Sequence, residues 1–357
     1  MKRVVALLLL TACPTLPGIE DAGSDAGFDA GRPPGPPAID VATGATHACA
    51  RMVDGTVRCW GCYCSGGLLQ TLTPDSLPVT IAGVRDTKQL ALGLDLTCAL
   101  MQNDTVKCWG RGGAGQLGNG ATDDSDTAVD VANLTGVLEI AAGDRHVCAR
   151  KNDGTVWCWG DNRERQLGDG TVVAQQLEPA SLGGPFGASQ LDLGKTHSCA
   201  QRASGQPVCW GDNAQGQVGD GTMMSRNTPT PVMLPGVSGS RVTAGALSCL
   251  LRDERGVSCW GGGAATPVER FSSDGGWVEV AAGGATVCAR AGSTVSCLDA
   301  GTVEVPNAVQ LAAGDRYTCA RTDGGQVFCW GKNDVGQLGD GRQGAGADSD
   351  VPVKVGF

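Results

Sequence analysis

Seven pairs of cysteines recur along this chain, their first members 49, 50, 51, 50, 39 and 31 residues apart, and no other feature restricts its fold as strongly. The first members are Cys49, Cys98, Cys148, Cys199, Cys249, Cys288 and Cys319; the second members are Cys59, Cys108, Cys158, Cys209, Cys259, Cys297 and Cys329. Six pairs stand ten residues apart, and Cys288 and Cys297 stand nine apart. Trp-Gly follows the second cysteine at Trp60, Trp109, Trp159, Trp210, Trp260 and Trp330, but Leu298-Asp299 takes its place in the sixth unit. Four units continue into a Gln-Leu/Val-Gly-Asp/Asn-Gly turn that ends at Gly120, Gly170, Gly221 or Gly341. Units with this period stack on their neighbours to bury a shared core, as in solenoids and propellers.

Each cysteine pair encloses a β-hairpin. In the third unit the midpoint falls on Asp153, which leaves the three-residue loop Asn152-Asp153-Gly154. Such a loop places its last residue in left-handed conformation, where glycine fits without strain. Gly55, Gly205 and Gly325 occupy the same place, and the second unit has Asp104 there. The sixth unit is one residue shorter, so its midpoint falls between residues. It offers Gly292-Ser293, a sequence suited to a two-residue type II′ turn. The fifth unit centres on Glu254 with Gly256 one place late, which predicts a distorted turn. Directly opposed cysteines on antiparallel strands come within disulfide range. One intra-hairpin bridge per unit is therefore expected, each closing a loop worth roughly 2–3 kcal/mol in the chain-entropy account. Zinc would require cysteine pairs of tighter spacing brought together in clusters.

Composition agrees with an all-β, turn-rich chain. Glycine accounts for 56 of 357 residues, and eight of the fifteen aromatic residues are tryptophan. The formal net charge of −10 disfavours contact with nucleic-acid phosphates, so no nucleic-acid partner is expected. Seventeen cysteines point to an oxidising compartment.

The N-terminus bears on the same question. Lys2 and Arg3 precede the apolar stretch Val4 to Leu10, which is too short to span a bilayer. Leu10-Thr11-Ala12-Cys13 follows. This segment resembles a bacterial lipoprotein signal, which implies cleavage before Cys13 and lipidation of that cysteine. Residues 1–12 are then the signal peptide and 13–38 an acidic linker. In the linker Asp-Ala-Gly recurs every four residues from Asp21, ahead of the Pro-rich stretch 32–37. Neither part can bury a core. The aspartates do not alternate as calcium ligands do. The expected location is the envelope of a bacterial cell, at the outer membrane or cell surface, with the membrane held through the N-terminal lipid. Cys62 and Cys64 remain outside the hairpin pattern. They can form an eighth disulfide, a redox-active pair or a Cys-x-Cys metal ligand set.

The fullest unit runs from Gly143 through His146, Cys148, Asp153-Gly154-Thr155-Val156, Cys158-Trp159-Gly160 and Asn162 to Gln166-Leu167-Gly168-Asp169-Gly170. It resembles the repeat of the regulator of chromosome condensation (RCC1) family, with further strong matches at 194–221 and 314–341. Partial matches lie at 44–69 and 93–120, and weak ones at 245–263 and 283–301. The resemblance implies a seven-bladed β-propeller over residues 39–357, here a monomer with one disulfide per blade. Residues Pro352 to Val355 read like a strand ahead of a unit that never comes. They are expected to complete the first blade beside Ile39 to Ala42, so that both sheet edges are hidden.

Candidate chemistry is sparse. His47, His146 and His197 each stand two residues before the first cysteine of a unit, where other units have Leu96, Leu247, Thr286 and Tyr317. A position locked to the repeat suggests hydrogen bonding between blades, with a shared metal as the alternative. Asp169, Asp220 and Asp340 precede glycine as turn residues do. The runs 123–126 and 348–350 read as solvated carboxylates, with a calcium loop as the alternative. Trp157 and Trp277 lie off the repeat and are candidate surface platforms. No nucleophile elbow, zinc-protease helix or phosphate loop occurs. The expectation is a binding scaffold that engages a protein or glycan through propeller-face loops, with no catalytic, cofactor or metal residues. A hydrolase or lyase-like envelope enzyme is the first alternative. Guanine-nucleotide exchange or chromatin binding, implied by eukaryotic members of the family, is the second.

Overall fold

The computed structural model describes residues 35–61, 77–183, 187–234 and 239–357. Cys13, the signal, nearly all of the linker and the pair Cys62 and Cys64 lie outside the described residues. Seven four-stranded antiparallel sheets follow one another at 38–85, 87–130, 137–181, 188–231, 239–271, 279–304 and 308–354. Each is a simple meander. In the third, Val137–Ala142, His146–Lys151, Val156–Asp161 and Gln175–Ser181 pair in chain order. The first strand of every sheet packs against the first strands of both neighbours, which closes a seven-bladed propeller around one axis. Blades five and six are complete despite their weak repeats, although blade six is built from strands of four or five residues.

The paired cysteines are direct register partners in all seven blades, for example Cys148 with Cys158. Each pair is bonded within its own hairpin, Cys49–Cys59, Cys98–Cys108, Cys148–Cys158, Cys199–Cys209, Cys249–Cys259, Cys288–Cys297 and Cys319–Cys329. All fourteen are buried. The turns follow from the spacing: Gly154 is left-handed at φ +78°, and Gly292 has φ +60° between Ala291 and Thr294, which pair. Blade five departs from expectation. Its turn is not distorted, because Arg255 itself takes the left-handed position at φ +65°. The Arg255 N–H donates to Arg252 O as the Gly154 N–H does to Lys151 O.

The C-terminal strand also corrects the sequence reading. Ser349–Lys354 pairs with Val327–Gly331 and is the outer strand of blade seven, not part of blade one. Every blade is therefore a contiguous piece of chain, and closure rests on side chains and backbone bonds across the joint. Gln310 of blade seven exchanges hydrogen bonds with both N and O of Val41, and Tyr317 Oη donates to His47 O at 2.6 Å. The Phe357 and Trp60 rings stand nearly perpendicular, their centroids 5.7 Å apart. A fall in melting temperature on deleting 351–357 would thus report loss of blade seven's outer strand.

The joints between blades explain the rest of the motif. At the end of each inner strand stands one glycine: Gly44, Gly93, Gly143, Gly194, Gly245, Gly283 and Gly314. At six of them an added Cβ would come within 3.0 Å of the corresponding glycine carbonyl in the next blade; at Gly314 it would strike the Tyr317 ring. Further out, each Gln-Leu-Gly turn caps the tryptophan of the following blade. The indole Nε1 of Trp159, Trp210, Trp260 and Trp60 donates to Gln116, Gln166, Gln217 and Gln337 O, respectively. Turn and tryptophan are both missing at the joint between blades five and six, where Trp277 packs on Phe271 instead. Blade six has no such turn either, and the buried Trp330 Nε1 has no acceptor.

The three histidines bridge joints. His47, His146 and His197 reach Thr97, Ser198 and Ser248 of the next blade at 2.9, 2.8 and 2.7 Å. The Ser198 and Ser248 hydroxyls donate onward to Gln166 and Gln217 O, so the imidazole Nε2–H is the donor to each serine. Burial lowers the pKa of His47 and His146 to about 3 and that of His197 to about 4. The folded protein therefore holds them neutral, whereas the unfolded chain protonates them below about pH 6.5.

Two outcomes are expected. Gly93→Ala forces a methyl against a backbone carbonyl that cannot swing away and should cost about 1–3 kcal/mol. Gly113→Ala points into open space and should stay within about 0.5 kcal/mol in the same thermal melts. Histidine stability is complete above about pH 6.5 and is lost as pH falls toward 4, at up to about 1.4 kcal/mol per pH unit for each histidine. Asp144 and Asp192, raised to about 6, act in the opposite sense over the same range. His197→Gln isolates the histidine contribution: its stability deficit at neutral pH should narrow progressively down to pH 4, and a constant deficit would contradict this assignment.

Candidate functional site

Each inner strand runs from the hairpin-turn end of its blade to the glycine ring, so the propeller has two distinct faces. Ala38 lies opposite Met52 next to the turn, and Thr43 lies opposite Ala48 at the far end. The hairpin face carries the seven short turns. The loop face carries the glycine ring and the longer segments that connect third to fourth strands.

On the axis at the loop face is a cavity of about 100 Å³. Glycine and alanine line most of it, and its charged groups are Asp144, Asp192, Lys195 and Asp315. Lys195 of blade four reaches across the axis, its Nζ 3.5 Å from Asp315 Oδ2 of blade seven. Desolvation is the largest influence on Asp144 and raises its pKa to about 6 against the pull of Lys195. The same effect raises Asp192, even though the Thr243 hydroxyl and the Ala244 N–H donate to its carboxylate. The cation spanning the mouth narrows this opening, and no histidine reaches it.

The residues singled out from sequence are dispersed. The histidines occupy three separate joints. Among the described residues no group of three or more His, Cys, Asp or Glu is placed to hold a metal. Asp169, Asp220 and Asp340 each accept the backbone N–H two residues on, at Thr171, Thr222 and Arg342. Asp124 accepts the Gly112 N–H, and Asp348 accepts the Asn333 N–H and pairs with Lys332. These carboxylates close turns. Trp157 and Trp277 are half-buried on different blades, the first beneath Lys151 and the second against Phe271, and form no common platform.

A surface feature of the loop face was not anticipated. One threonine beyond the Gly-Asp-Gly turns of adjacent blades three and four come Val172-Val173 and Met223-Met224, exposed by 84, 52, 46 and 62 %. The two loops are joined: Gly170 and Asn227 exchange hydrogen bonds, and Arg165 donates to Ser225 O. Blades two and seven have Thr122-Asp123 and Gln343-Gly344 at the equivalent places. The signal was present in the sequence as two apolar dipeptides where a turn is ordinarily polar.

Comparison with known proteins agrees with this architecture. Two family models, both described as Regulator of chromosome condensation (RCC1) repeat, match residues 38–66, 88–116, 137–166 and 308–337, and 104–150, 153–201 and 324–357. Human RCC1 domain-containing protein 1 is 29 % identical over 177 residues, 43 % of this chain and 46 % of that protein. Human E3 ubiquitin-protein ligase HERC2 is 28 % identical over 159 residues, 43 % of this chain but 3 % of HERC2. The matches thus span less than half the length of these relatives. Among solved structures, human WBSCR16 superposes with a TM-score of 0.70 at 21 % identity, covering 79 % of this chain and 85 % of that one. Prp20p from Saccharomyces cerevisiae, described with its binding properties to Gsp1p and histones, gives 0.60 at 21 % identity, covering 90 % and 77 %. With seven repeat-built blades and family matches over more than half its length, this chain belongs to the RCC1 repeat family.

Proposed function

We propose that the propeller is a lipid-anchored binding scaffold of a bacterial cell envelope that engages a protein or glycan through its loop face. The observation that carries the binding reading is the exposed group Val172, Val173, Met223 and Met224 on two joined loops. Exposed apolar groups of this kind mark interaction surfaces, and methionine adapts to varied partners. Protein binding is also what Prp20p is described as doing, with Gsp1p and histones as its partners. The exchange-factor and chromatin reading is disfavoured here by the net charge of −10. An enzyme on the same face is the other alternative. The dispersal of histidines and carboxylates into joints and turns speaks against it. The envelope reading draws on Leu10-Thr11-Ala12-Cys13 and on seven buried disulfides, which suit an oxidising compartment.

Two measurements test the proposal. Mass spectrometry of the exported protein should find Cys13 at the N-terminus with attached acyl chains, and Cys13→Ser should release the protein from the membrane fraction. Replacing Val172, Val173, Met223 and Met224 by serine should leave the melting temperature within a few degrees of wild type. It should abolish cross-linked partners captured from envelope fractions. Equal capture by both proteins would remove the loop-face assignment.

A further inference from the structure

The hairpin face carries a second regular feature. In six blades the inner strand starts with a one-residue irregularity in its pairing with the second strand. A bulge leaves its extra residue unpaired and redirects the side chain. The extra residues are Ile39, Lys88, Leu138, Ser189, Ser240 and Val309. In blade six Val278 directly precedes the inner strand. Together they ring the axis at the mouth opposite the glycine ring, and all seven are exposed.

The ring is not uniform. Val278, Val309 and Ile39 lie on consecutive blades six, seven and one, exposed by 47, 42 and 45 %. Leu138 follows beyond Lys88, and the hairpin-turn residue Val53 adds to the same side. Ser189 and Ser240 complete the ring. Single exposed aliphatic residues are ordinary. Aliphatic residues gathered at one structural position on neighbouring blades form an apolar arc.

We propose that this arc rests on a phospholipid bilayer surface, so that the hairpin face lies on the membrane and the loop face points away from it. The proposal rests on acylation of Cys13. The chain enters the propeller at this mouth: Pro37 O accepts the Val53 N–H and the Ala38 N–H donates to Gly325 O, beside the hairpin turns of blades one and seven. Cys13 precedes Gly35 by 22 residues. Even fully extended, 22 residues reach no more than about 75 Å, so the acylated end stays within reach of this mouth. A tether this short keeps the adjacent mouth at high effective concentration near the lipid. Asp54, Asp153 and Asp323 in the surrounding turns would oppose anionic lipid, so the contact should be stronger on zwitterionic bilayers.

The test uses the full-length acylated protein on phosphatidylcholine vesicles, beside the variant Ile39→Ser/Val278→Ser/Val309→Ser, with amide hydrogen exchange as readout. In the wild type, exchange should slow several-fold at residues 52–55 and 322–325 and stay unchanged at 171–174 and 222–225. The variant should still float with vesicles but lose that protection. Equal exchange in both proteins, or protection of the loop face, would overturn the proposal while the anchor stands. Protection of the hairpin face that grows with protein concentration without vesicles would mean a second copy covers the arc, and would also overturn it. Failure of the wild type to float, with no acyl mass on Cys13, would remove the anchor and this proposal with it.

Discussion

Seven inner strands converge on one axis only because a glycine ends each of them. At six of the seven a side chain as small as a methyl would collide with the corresponding glycine carbonyl of the next blade, and at Gly314 with the Tyr317 ring. That close approach sets the spacing of the blades, and the outer contacts follow from it. His146 can reach Ser198, and Trp210 can reach the carbonyl of Gln166, because adjacent blades already lie at that distance. The Gln166 carbonyl accepts from both Trp210 and Ser198, so one turn serves two contacts in the same joint. The repeat motif is therefore mainly a description of joints.

The joints are not equal. Between blades three and four a histidine, a serine, a capped tryptophan and a glutamate all cross, the last through Glu139 to the Leu191 N–H. Around blade six these devices thin out: Leu298 replaces tryptophan, and Trp330 Nε1 has no acceptor. The disulfide inside blade six compensates locally, since it restrains the hairpin whether or not the neighbouring joint is well made.

Much of this was legible in the sequence because the devices act locally. Cysteine spacing reported hairpin register, and Gly292-Ser293 reported the shortened turn of blade six. The inter-blade role of the histidines was legible from their fixed place in the repeat. Arg255 misled because sequence favours glycine in a left-handed turn position, yet the two flanking strands and their disulfide impose the turn on whatever residue stands there. The C-terminal strand misled because a strand read in isolation carries no record of its partner. The glycine ring and the bulge residues were not read at all, since a close approach between blades and an outward-turned side chain are properties of the assembled ring. Val172-Val173 and Met223-Met224 were visible as residues, but their adjacency needed the fold.

Each blade is one contiguous repeat closed by its own disulfide, and among the described cysteines no disulfide joins one blade to another. Peptide mapping of the non-reduced protein after proteolysis tests it most directly. Seven linked pairs are expected, each joining the two cysteines of one hairpin, with Cys49 to Cys59 and Cys288 to Cys297 among them. Linkage between cysteines of different blades, or free thiols among these fourteen, would contradict it.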